Sequence, residues 1–432
     1  MPKQRCQLPS DMYILQGFSD AATKRLPAAG EILTFAITLN PNSMEGSLSN
    51  RNRALALLLA AAVFIPAGAY AKNHASTSSK DLRIAVIDVE GGASSLWLTP
   101  EGKSLLIDTG WPPGMGNWPR MAQQPANSTT SSADRIAAAA KALGITHIDY
   151  LLMTHYHVDH AGGVDALLEK LPADTFIDHG PNSEVPPPNA PANPRAQRFA
   201  AMSSAALYKK WVAAYQGHKH ISPTVGQDLK IGSLHIKFVA SNAEVLSAPL
   251  PGAGQPNPLC AGVPQLDRLG GVENVHSLGM LMTFGKTRIL DLGDNSWNNE
   301  LKLLCPVNKI GKVDLYFVTQ HGMDLSSSPP TAAFDPLVAL MQNGPMKGGD
   351  AAVIKTVDTY PDLEGFWRLH YSVRYPDLNP DLNYIANLNQ PQDMTYPLDV
   401  DISPSGKITV TNPRNGFTKT YESREAKGHA KP

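Results

Sequence analysis

The sequence lacks an excess of charge of either sign. Its 37 lysines and arginines offset 38 aspartates and glutamates, which leaves a net charge of -1 at pH 7 for a chain of 432 residues. Nucleic-acid grooves and membrane-binding surfaces carry clustered Lys and Arg, so the charge balance gives no reason to expect either partner. No repeat of fixed period divides the chain, and its length fits one large or two modest globular domains.

Long apolar runs are also scarce, and the one that stands out is too short to span a membrane. It lies in "RNRALALLLAAAVFIPAGAYA", residues 51–71. Its roughly fifteen apolar residues, interrupted by Pro66, fall short of the roughly twenty that cross a bilayer. Two arginines precede the run and Ala69-Tyr70-Ala71 follows it, which is the order of a secretory signal peptide. We therefore expect cleavage after Ala71 and a periplasmic or secreted protein without a membrane span.

The expected leader also sets the domain boundaries. A signal peptide begins within a few residues of the initiator, and Met44 lies shortly before the basic pair, so the residues before it are interpreted as a mis-assigned upstream start. The chain is then divided into an upstream extension at 1–43, a signal peptide at 44–71, a single domain at 80–425 and a flexible tail at 426–432. Two stretches rich in Pro, Asn or Gly, 181–194 and 248–275, are expected to be long inserted surface loops.

Cysteine is the third scarcity, with three in the whole chain. Cys6 would be lost with the leader, which leaves Cys260 and Cys305 in an oxidising compartment, where two thiols pair more often than they stay free. Two interpretations remain open: the two cysteines form a disulfide, or each is a small buried apolar residue. No cysteine pair has metal-binding spacing, which argues against an iron-sulfur or rubredoxin-like redox centre.

The residues after 80 alternate between strand-like and helix-like patterns. Runs such as "LRIAVIDVE" and "HIDYLLMTH" predict buried strands, and "SADRIAAAAKALG" predicts a helix capped by Ser132 and ended by Gly144. "GGVDALLEKLP" predicts another helix, and the apolar run "AAVIKTV" (351–357) predicts another buried strand. Strands that alternate with helices over this length predict an α/β layered fold.

The stretch "LLMTHYHVDHAGG", residues 151–163, concentrates metal-ligand chemistry. His155 and His157 are two apart, so on an extended chain both side chains face the same way and can share one ion. Asp159 and His160 follow where the backbone turns, so they can face a second ion. Imidazole and carboxylate suit zinc, and also iron or manganese. A solvated polar turn is the alternative, but three histidines and an aspartate in six positions favour a metal site.

"THYHVDH" resembles the first signature of the metallo-β-lactamase superfamily of metal-dependent hydrolases. The opening strands that end in Asp108-Thr-Gly, "RILDLGD" with Asp294, and "LYFVTQHGMD" with His321 are similar to the other signatures and follow in the family's order. The likeness covers roughly residues 82–325. The early "DV-x-x-G" strand and the Gly-Asp hairpin look closest to the branch with the nuclease-like domain of DNA-uptake competence proteins.

The resemblance implies a fold and a metal core. The fold is a four-layer αβ/βα sandwich with the site at the sheet edges, and the cofactors are two divalent metal ions, zinc first, with manganese or iron as alternatives. Asp159 would orient the nucleophile or pass its proton to the leaving group, and Asp108 would steady the metal loop. The implied ligands are His155 and His157 for metal one, Asp159, His160 and His321 for metal two, and Asp294 shared by both.

The third ligand of metal one departs from the family pattern. Many relatives have a histidine in a "Gly-His-Thr" context before the Gly-Asp hairpin, whereas this chain reads "ENVHSLG". His276 is the first candidate and His179, in "FIDHG", is the second. Two alternatives remain open. Water or substrate could fill the third ligand position, and His179 could be a core residue.

Four more residues are candidates for the substrate pocket. Trp111, Tyr156 and Trp297 each adjoin a motif and are candidates for an aromatic wall, although aromatic residues beside buried strands more often pack in the core. His370, in "FWRLHYS", follows the second half of the sheet and carries the same alternative.

The function that these features favour is exported dinuclear metal-dependent hydrolysis of a small ester, lactone or phosphoester. The competence-protein likeness raises a phosphodiesterase or nuclease-like activity, which the neutral charge disfavours. A β-lactamase is a further alternative, disfavoured because Asp294 at the shared position suits ester, thioester and phosphoester hydrolases. An iron-dependent redox enzyme and a metal-dependent binding protein are the remaining alternatives. The expected partner is a small-molecule substrate, and the oligomeric state stays open.

Overall fold

The computed structural model describes residues 80–115, 130–185, 197, 199–268, 270–388 and 395–428. The predicted upstream extension and signal peptide lie outside these residues, as do Cys6, part of the predicted loop at 181–194 and the end of the predicted tail. Within the described residues, no helix combines the length and the apolar content that crossing a membrane requires.

Two sheets, each with nine strands among the described residues, form the frame of the domain. The strands are β1 Leu82–Val86, β2 Ser95–Leu98, β3 Ser104–Ile107, β4 Ile148–Leu152, β5 Ala173–Ile177, β6 Lys219–Ile221, β7 Asp228–Ile231, β8 Leu234–Ser241, β9 Glu244–Val245, β10 Gly279–Phe284, β11 Thr287–Asp291, β12 Leu315–Phe317, β13 Val338–Met341, β14 Gly365–His370, β15 Ile385–Asn387, β16 Leu398–Ile402, β17 Lys407–Asn412 and β18 Phe417–Glu422. The first sheet has the order β18-β17-β16-β1-β2-β3-β4-β5-β6. The second has the order β15-β14-β13-β12-β11-β10-β8-β7, with β9 paired to β8.

The helices connect these strands on the outer faces of the sheets. They are α1 Ser132–Leu143, α2 Val158–Ala161, α3 Val164–Leu168, α4 Ser204–Tyr215, α5 Val272–His276, α6 Trp297–Leu304 and α7 Ala351–Val357. Short 3₁₀ segments are Pro258–Cys260, Thr319–Gly322, Pro329–Phe334, Pro376–Leu378 and Leu382–Tyr384. Cys260 and Cys305 are joined by a disulfide, which fixes the Pro258–Cys260 segment to the end of α6.

Three apolar clusters divide the domain into layers. Alternate residues of β1 face opposite ways, so that Ile84 packs between the two sheets while Ala85 packs on the outer side. The inner cluster joins residues of both sheets, among them Trp97 and Phe317. One outer cluster covers the first sheet with α1 and α4, and the other covers the second sheet with α6 and α7. This arrangement confirms the predicted four-layer αβ/βα sandwich.

Two predictions about local structure are wrong. Ser131, rather than Ser132, caps α1: its hydroxyl accepts from the Asp134 amide while the Asp134 carboxylate accepts from Ser131, which is a capping box. The run "AAVIKTV" is helix α7 and not a strand. Its buried residues Val353, Ile354 and Val357 follow a spacing of three and four, which a short apolar run leaves ambiguous.

The loops that carry the polar candidates all follow parallel strands. β3 and β4 are parallel in the first sheet, and β11, β12 and β13 are parallel in the second. Side chains that follow such strands gather at one edge of a sheet, where α/β proteins bind their ligands. Asp108, the 155–160 segment, Asp294 and His321 lie in four of these loops.

Candidate metal centre

Four residues converge in the interior at the sheet edges. Asp159, His160, Asp294 and His321 are all buried, and each offers one ligand atom within 4.8 Å of the other three. His160 Nε2 lies 3.1 Å from His321 Nε2, and each of these nitrogens lies 3.4 Å from Asp294 Oδ1. Asp159 Oδ2 is 3.1 Å from the same His321 nitrogen. Two imidazoles and two carboxylates thus aim at one small volume.

The local sequence explains how the first loop reaches this position. β4 ends at Leu152, and the chain soon enters the one-turn helix α2, with His157 in an extended conformation just before it. Gly162 and Gly163 let this loop pack against the loop that follows β3. A Cβ on Gly163 would lie 2.2 Å from the Thr109 carbonyl oxygen, and one on Gly162 would lie 2.3 Å from the ring of Pro112. Only glycine allows this approach.

His155 and His157 form a separate pair beside the four-residue group. His155 Nε2 and His157 Nδ1 lie 3.1 Å apart, and the His155 ring centre is 4.1 Å from that of His160. Burial, together with the imidazoles of His160 and His157, lowers the pKa of His155 well below its usual value. His155 is therefore neutral at pH 7, which is the form that ligates metals.

Polar partners engage the outward nitrogens of the two histidines in the four-residue group. His160 Nδ1 lies 2.7 Å from Asp108 Oδ2, and His321 Nδ1 lies 3.2 Å from the carbonyl oxygen of Gln342. In the neutral tautomer that donates a hydrogen bond from Nδ1 to this partner, Nε2 is unprotonated and faces inward, as metal ligation requires. Such outer partners fix the tautomer and the ring plane of metal-binding histidines.

The first histidine pair is oriented in the same way. His157 Nε2 lies 3.2 Å from Glu184 Oε1, so that His157 Nδ1 faces His155. Thr154 Oγ1 lies 3.1 Å from His155 Nδ1 and so leaves His155 Nε2 on the inner side. All four histidines therefore present one inner nitrogen and use the other for a hydrogen bond.

Two of the site loops adopt conformations that are rare for residues other than glycine. Asp108 has φ 60°, while Gln320 and His321 have φ 55° and 56°. Backbone at positive φ is costly, and it persists where the surroundings over-determine it. Thr154 donates to both Asp108 oxygens, at 2.8 and 2.7 Å, and the Gln320 amide donates to the Gly293 carbonyl at 3.1 Å. The strain is therefore held where Asp108 must reach the outer nitrogen of His160 and where His321 must face the centre.

The electrostatics of the group suit a divalent cation. Burial would raise the pKa of Asp159, but Lys347 and His160 outweigh it and hold that pKa well below its usual value. Burial would likewise raise the pKa of Asp294, and His321 and His160 hold it low. The group therefore keeps two carboxylates ionised in the interior, which protein interiors tolerate only when cations or strong hydrogen-bond donors compensate them.

The residues present fit the two-metal core that the resemblance implied, except at one position. Imidazole nitrogens and carboxylate oxygens are suitable donors for zinc, iron or manganese. A cavity of about 20 Å³, bordered by His160, Asp294 and His321, adjoins the donors and has the scale of a single ion or water. A larger cavity, about 1340 Å³, lies elsewhere, between the 252–259 loop and Arg424, and includes none of these donors.

The two candidates for the third ligand of metal one form hydrogen bonds with groups other than the His155–His157 pair. His179 Nε2 lies 2.7 Å from Glu273 Oε1, and both side chains are fully buried. His276 Nδ1 lies 2.9 Å from the Val272 carbonyl oxygen in its own helix. In the described part of the chain, the groups of three or more candidate ligands include neither His155 nor His157. Apart from the shared Asp294, metal one therefore has two candidate protein ligands, His155 and His157, where the resemblance implies three.

The aromatic candidates are placed differently from one another. Trp111 lies beside the centre, with its ring 5.3 Å from Lys347 Nζ. Tyr156 is fully buried in the outer cluster of the first sheet and donates to the Gly180 carbonyl at 2.7 Å, so it lies in the core instead of a pocket wall. Trp297 Nε1 donates to the Pro264 carbonyl at 2.9 Å.

His370 belongs to a second buried polar cluster. His370 Nε2 lies 2.7 Å from Asp88 Oδ1, and Arg135 contacts Asp88 at 3.1 Å and Glu90 at 2.8 Å. The Arg135 guanidinium already compensates these carboxylates, so the cluster holds the loop after β1 against α1 and β14.

Lys347 is the site residue that sequence reasoning missed. It follows β13 in the segment "PMKGGD", and its ammonium contacts Asp159 Oδ2 and donates to the Gly91 carbonyl at 2.7 Å. Its position could have indicated it. Lys347 lies in a Gly-rich loop after the buried strand β13, which is parallel to β12, the strand that precedes His321. Lysine is not a metal ligand in the resemblance, so no motif pointed to it.

Residues 88–212 match the family model of the metallo-beta-lactamase superfamily, which confirms that predicted superfamily and leaves the competence-protein branch a prediction. No curated protein matches the sequence. Among similar solved structures, the metallo-beta-lactamase fold protein YhfI from Bacillus subtilis is 13% identical and has a TM-score of 0.36, over 67% of this chain and 95% of that chain. CmlA, a diiron beta-hydroxylase from Streptomyces venezuelae, is 15% identical with a TM-score of 0.38, and the alignment covers 67% of this chain and only 53% of CmlA.

Proposed function

We propose, from the premise that residues 88–212 belong to the metallo-β-lactamase superfamily, that this protein is an exported two-metal hydrolase of a small ester, lactone or phosphoester. The convergence of Asp159, His160, Asp294 and His321 on one buried point carries the proposal. A structural polar cluster has no need of four inner donor atoms with the outer nitrogens of both histidines held by hydrogen bonds, whereas a metal site does.

The residues divide the chemical work between them. His155 and His157 would hold one ion, Asp159, His160 and His321 the other, and Asp294 would be shared. Two bound divalent ions supply a water whose pKa is lowered towards roughly 7, and they stabilise negative charge on the substrate oxygen.

Asp159 is the candidate proton carrier. Despite burial, Lys347 and His160 hold its pKa well below the usual value, so the carboxylate is ionised at neutral pH. An ionised carboxylate can accept the proton of the attacking water and pass it to the leaving group. Asp108, which binds His160 from outside, keeps the imidazole in the orientation that this arrangement needs.

The proposal is tested by measuring metal and turnover in the same sample. The full chain is produced in an exporting bacterial host, its metal is measured by elemental analysis, and it is assayed with nitrophenyl esters, lactones, phosphodiesters and a chromogenic β-lactam. We expect Asp159→Ala and His321→Ala to reduce metal content and to lower turnover by roughly 100-fold or more. Asp165→Ala is the matched control, since this exposed carboxylate lies nearby on α3 and pairs with Lys210 at 2.8 Å.

Three of the alternatives predict their own results in this assay. Preferred turnover of a phosphodiester would favour the nuclease-like activity, and turnover of the β-lactam would favour a β-lactamase. Metal that binds without turnover on any substrate would favour a metal-dependent binding protein. If Asp159→Ala leaves both metal content and turnover at the wild-type level, the hydrolase proposal is wrong.

Export needs a separate measurement. We expect mass spectrometry of the exported protein to show a mature chain beginning at Lys72. An intact amino terminus before residue 44 would contradict both the leader and the interpretation of the start site.

A further inference from the structure

Lys347 places a positive charge in the wall of the metal centre. Its side chain is 24% exposed, whereas Asp159, which it contacts, is only 10% exposed. The ammonium therefore lies at the boundary between the buried donors and solvent. A substrate that approaches the donors from this side meets Lys347 on the way.

The backbone around Lys347 is built to hold it there. The Lys347 carbonyl accepts from the Gly344 amide at 2.8 Å, which closes the loop on itself. The Gly349 amide donates to the His321 carbonyl at 3.0 Å and so ties the same loop to a site histidine. On the other side, Gly91 approaches so closely that a Cβ there would lie 2.8 Å from the Gly344 amide nitrogen and 3.2 Å from Lys347 Cβ.

The contacts of the ammonium leave capacity for a ligand. A lysine ammonium has three N–H donors, and within the described residues the Asp159 carboxylate and the Gly91 carbonyl take two of them. Nζ also lies over the ring of Trp111, 5.3 Å from the ring centroid, so that a flat apolar surface borders the ammonium. A cation with a spare donor next to an aromatic ring is suited to an anionic oxygen on an otherwise apolar molecule.

Charge balance points the same way. Asp159 and Asp294 contribute two negative charges to the centre, and Lys347 contributes one positive charge before any metal is counted. Divalent ions would leave the centre with a positive excess, which an anionic group on the substrate would reduce. We propose that Lys347 is a specificity-determining residue that selects substrates carrying a carboxylate or similar anionic oxygen group near the scissile bond. This inference rests on the proposed hydrolase function.

The test compares two esters that differ only in a terminal charge. Mono-4-nitrophenyl adipate and 4-nitrophenyl hexanoate have acyl chains of equal length, and only the first ends in a carboxylate. They are assayed with the metal-loaded wild type, with Lys347→Ala, and with Lys355→Ala, which removes an exposed lysine of α7. We expect the wild type to prefer the adipate ester, and Lys347→Ala to lower that preference by roughly 10- to 100-fold, mainly through KM. Lys355→Ala should keep the wild-type preference.

Calorimetric titration with adipate gives a readout that does not depend on turnover. We expect Lys347→Ala to weaken adipate binding by roughly 10-fold or more while its metal content stays at the wild-type level. An equal loss on both esters, a loss of bound metal, or unchanged adipate affinity would each overturn the inference, since Lys347 would then only brace Asp159. If the wild type cleaves neither ester but binds adipate through Lys347, the proposed ester hydrolysis fails and the anion site stands.

Discussion

Asp108 controls the chemistry of His160 through one hydrogen bond. Its Oδ2 accepts from His160 Nδ1 at 2.7 Å, and Thr154 holds the carboxylate in place with two further bonds. His160 Nε2 is therefore the free nitrogen, and it faces Asp294. The orientation of His160 in the candidate metal centre thus depends on a residue 52 positions earlier in the chain.

We predict that Asp108→Asn weakens metal binding by roughly 10- to 100-fold. Asparagine tolerates φ near 60° and keeps an oxygen for Thr154, so the backbone need not change. Its amide would donate to His160 Nδ1 and force the proton onto Nε2, which faces the donors. Zinc affinity is measured by competition with a chelator. Asp165→Asn is the control for a change of charge, and an unchanged affinity for Asp108→Asn would contradict the role of the hydrogen bond.

The sequence grouped the candidate ligands better than it indicated their hydrogen-bond partners. His155, His157, Asp159 and His160 lie in one short motif, so local spacing was enough to group them. The outer partners Glu184 and Gln342 lie in loops without any signal of their own. His179 was the second candidate for the third ligand of metal one, with a core role left open, and in the folded chain its Nε2 lies 2.7 Å from Glu273, 94 residues later. Pairings at such distances depend on which strands become neighbours, and residue types do not encode that order directly.

Among the elements, the 345–350 loop couples three parts of the site. It carries Lys347, joins β13 to α7, and binds the backbone of His321 and Gly322 through the amides of Gly349 and Asp350. Helix α7 was predicted as a strand because its seven residues are mostly apolar. Its packing against the second sheet decided the question, since only a helix presents Val353, Ile354 and Val357 on one side.

We predict that Gly348→Ala disrupts this loop and lowers metal affinity. Gly348 has φ +71°, and a Cβ would lie 2.1 Å from the His321 carbonyl oxygen, so the loop or His321 must move. Gly217→Ala is a matched control, since Gly217 has φ +82° and nothing lies within 4 Å of its Cβ position. Both variants carry a backbone strain of about 1–2 kcal/mol. Only Gly348→Ala should also lose metal, and equal metal affinities in the two variants would contradict the coupling.

Asp399 in strand β16 is expected to make the stability of the protein depend on pH. Burial and the charge of Asp401 raise the pKa of Asp399 to about 7, although Arg83 opposes this. In the unfolded chain the same carboxyl loses its proton near its ordinary value of 3.8. Between these values the folded state binds more protons than the unfolded state, so this group lowers stability as the pH rises from about 4 to about 7.

We predict that Asp399→Asn raises the free energy of unfolding relative to wild type, and that this gain is larger at pH 8 than at pH 4.5 by on the order of 1–2 kcal/mol. The reason is that the amide does not titrate. Urea unfolding at both pH values measures the difference from wild type. Asp267→Asn changes an exposed carboxylate and should show no such dependence. A constant difference between Asp399→Asn and wild type at the two pH values would show that Asp399 does not titrate in this window.

At the scale of the whole molecule, the end of the chain completes the first sheet. β16 pairs with β1, so that Leu82 lies opposite Ile402, and β17 and β18 extend the same edge. The alternation of strands and helices in the sequence predicted the layers. It could not predict that β1 pairs with β16, because these strands lie far apart in the chain and local patterns carry no information on such pairing. The family match ends at residue 212, so the second sheet and this edge are established by the structure alone.

The disulfide between Cys260 and Cys305 links residues 45 apart, a closure worth about 4 kcal/mol in the chain-entropy model. The same segments are also joined by backbone bonds, with the Gly254 amide donating to the Asn308 carbonyl at 2.7 Å. The folded loop should therefore survive opening of the disulfide, and the effect should fall mainly on the unfolded chain. We predict that Cys260→Ser/Cys305→Ser lowers the free energy of unfolding by about 2–4 kcal/mol in urea, while metal content stays at the wild-type level. Reductant should bring the wild type to the stability of the double variant and leave the double variant unaffected. A reduced wild type with two titratable thiols and undiminished stability would show that the closure contributes nothing.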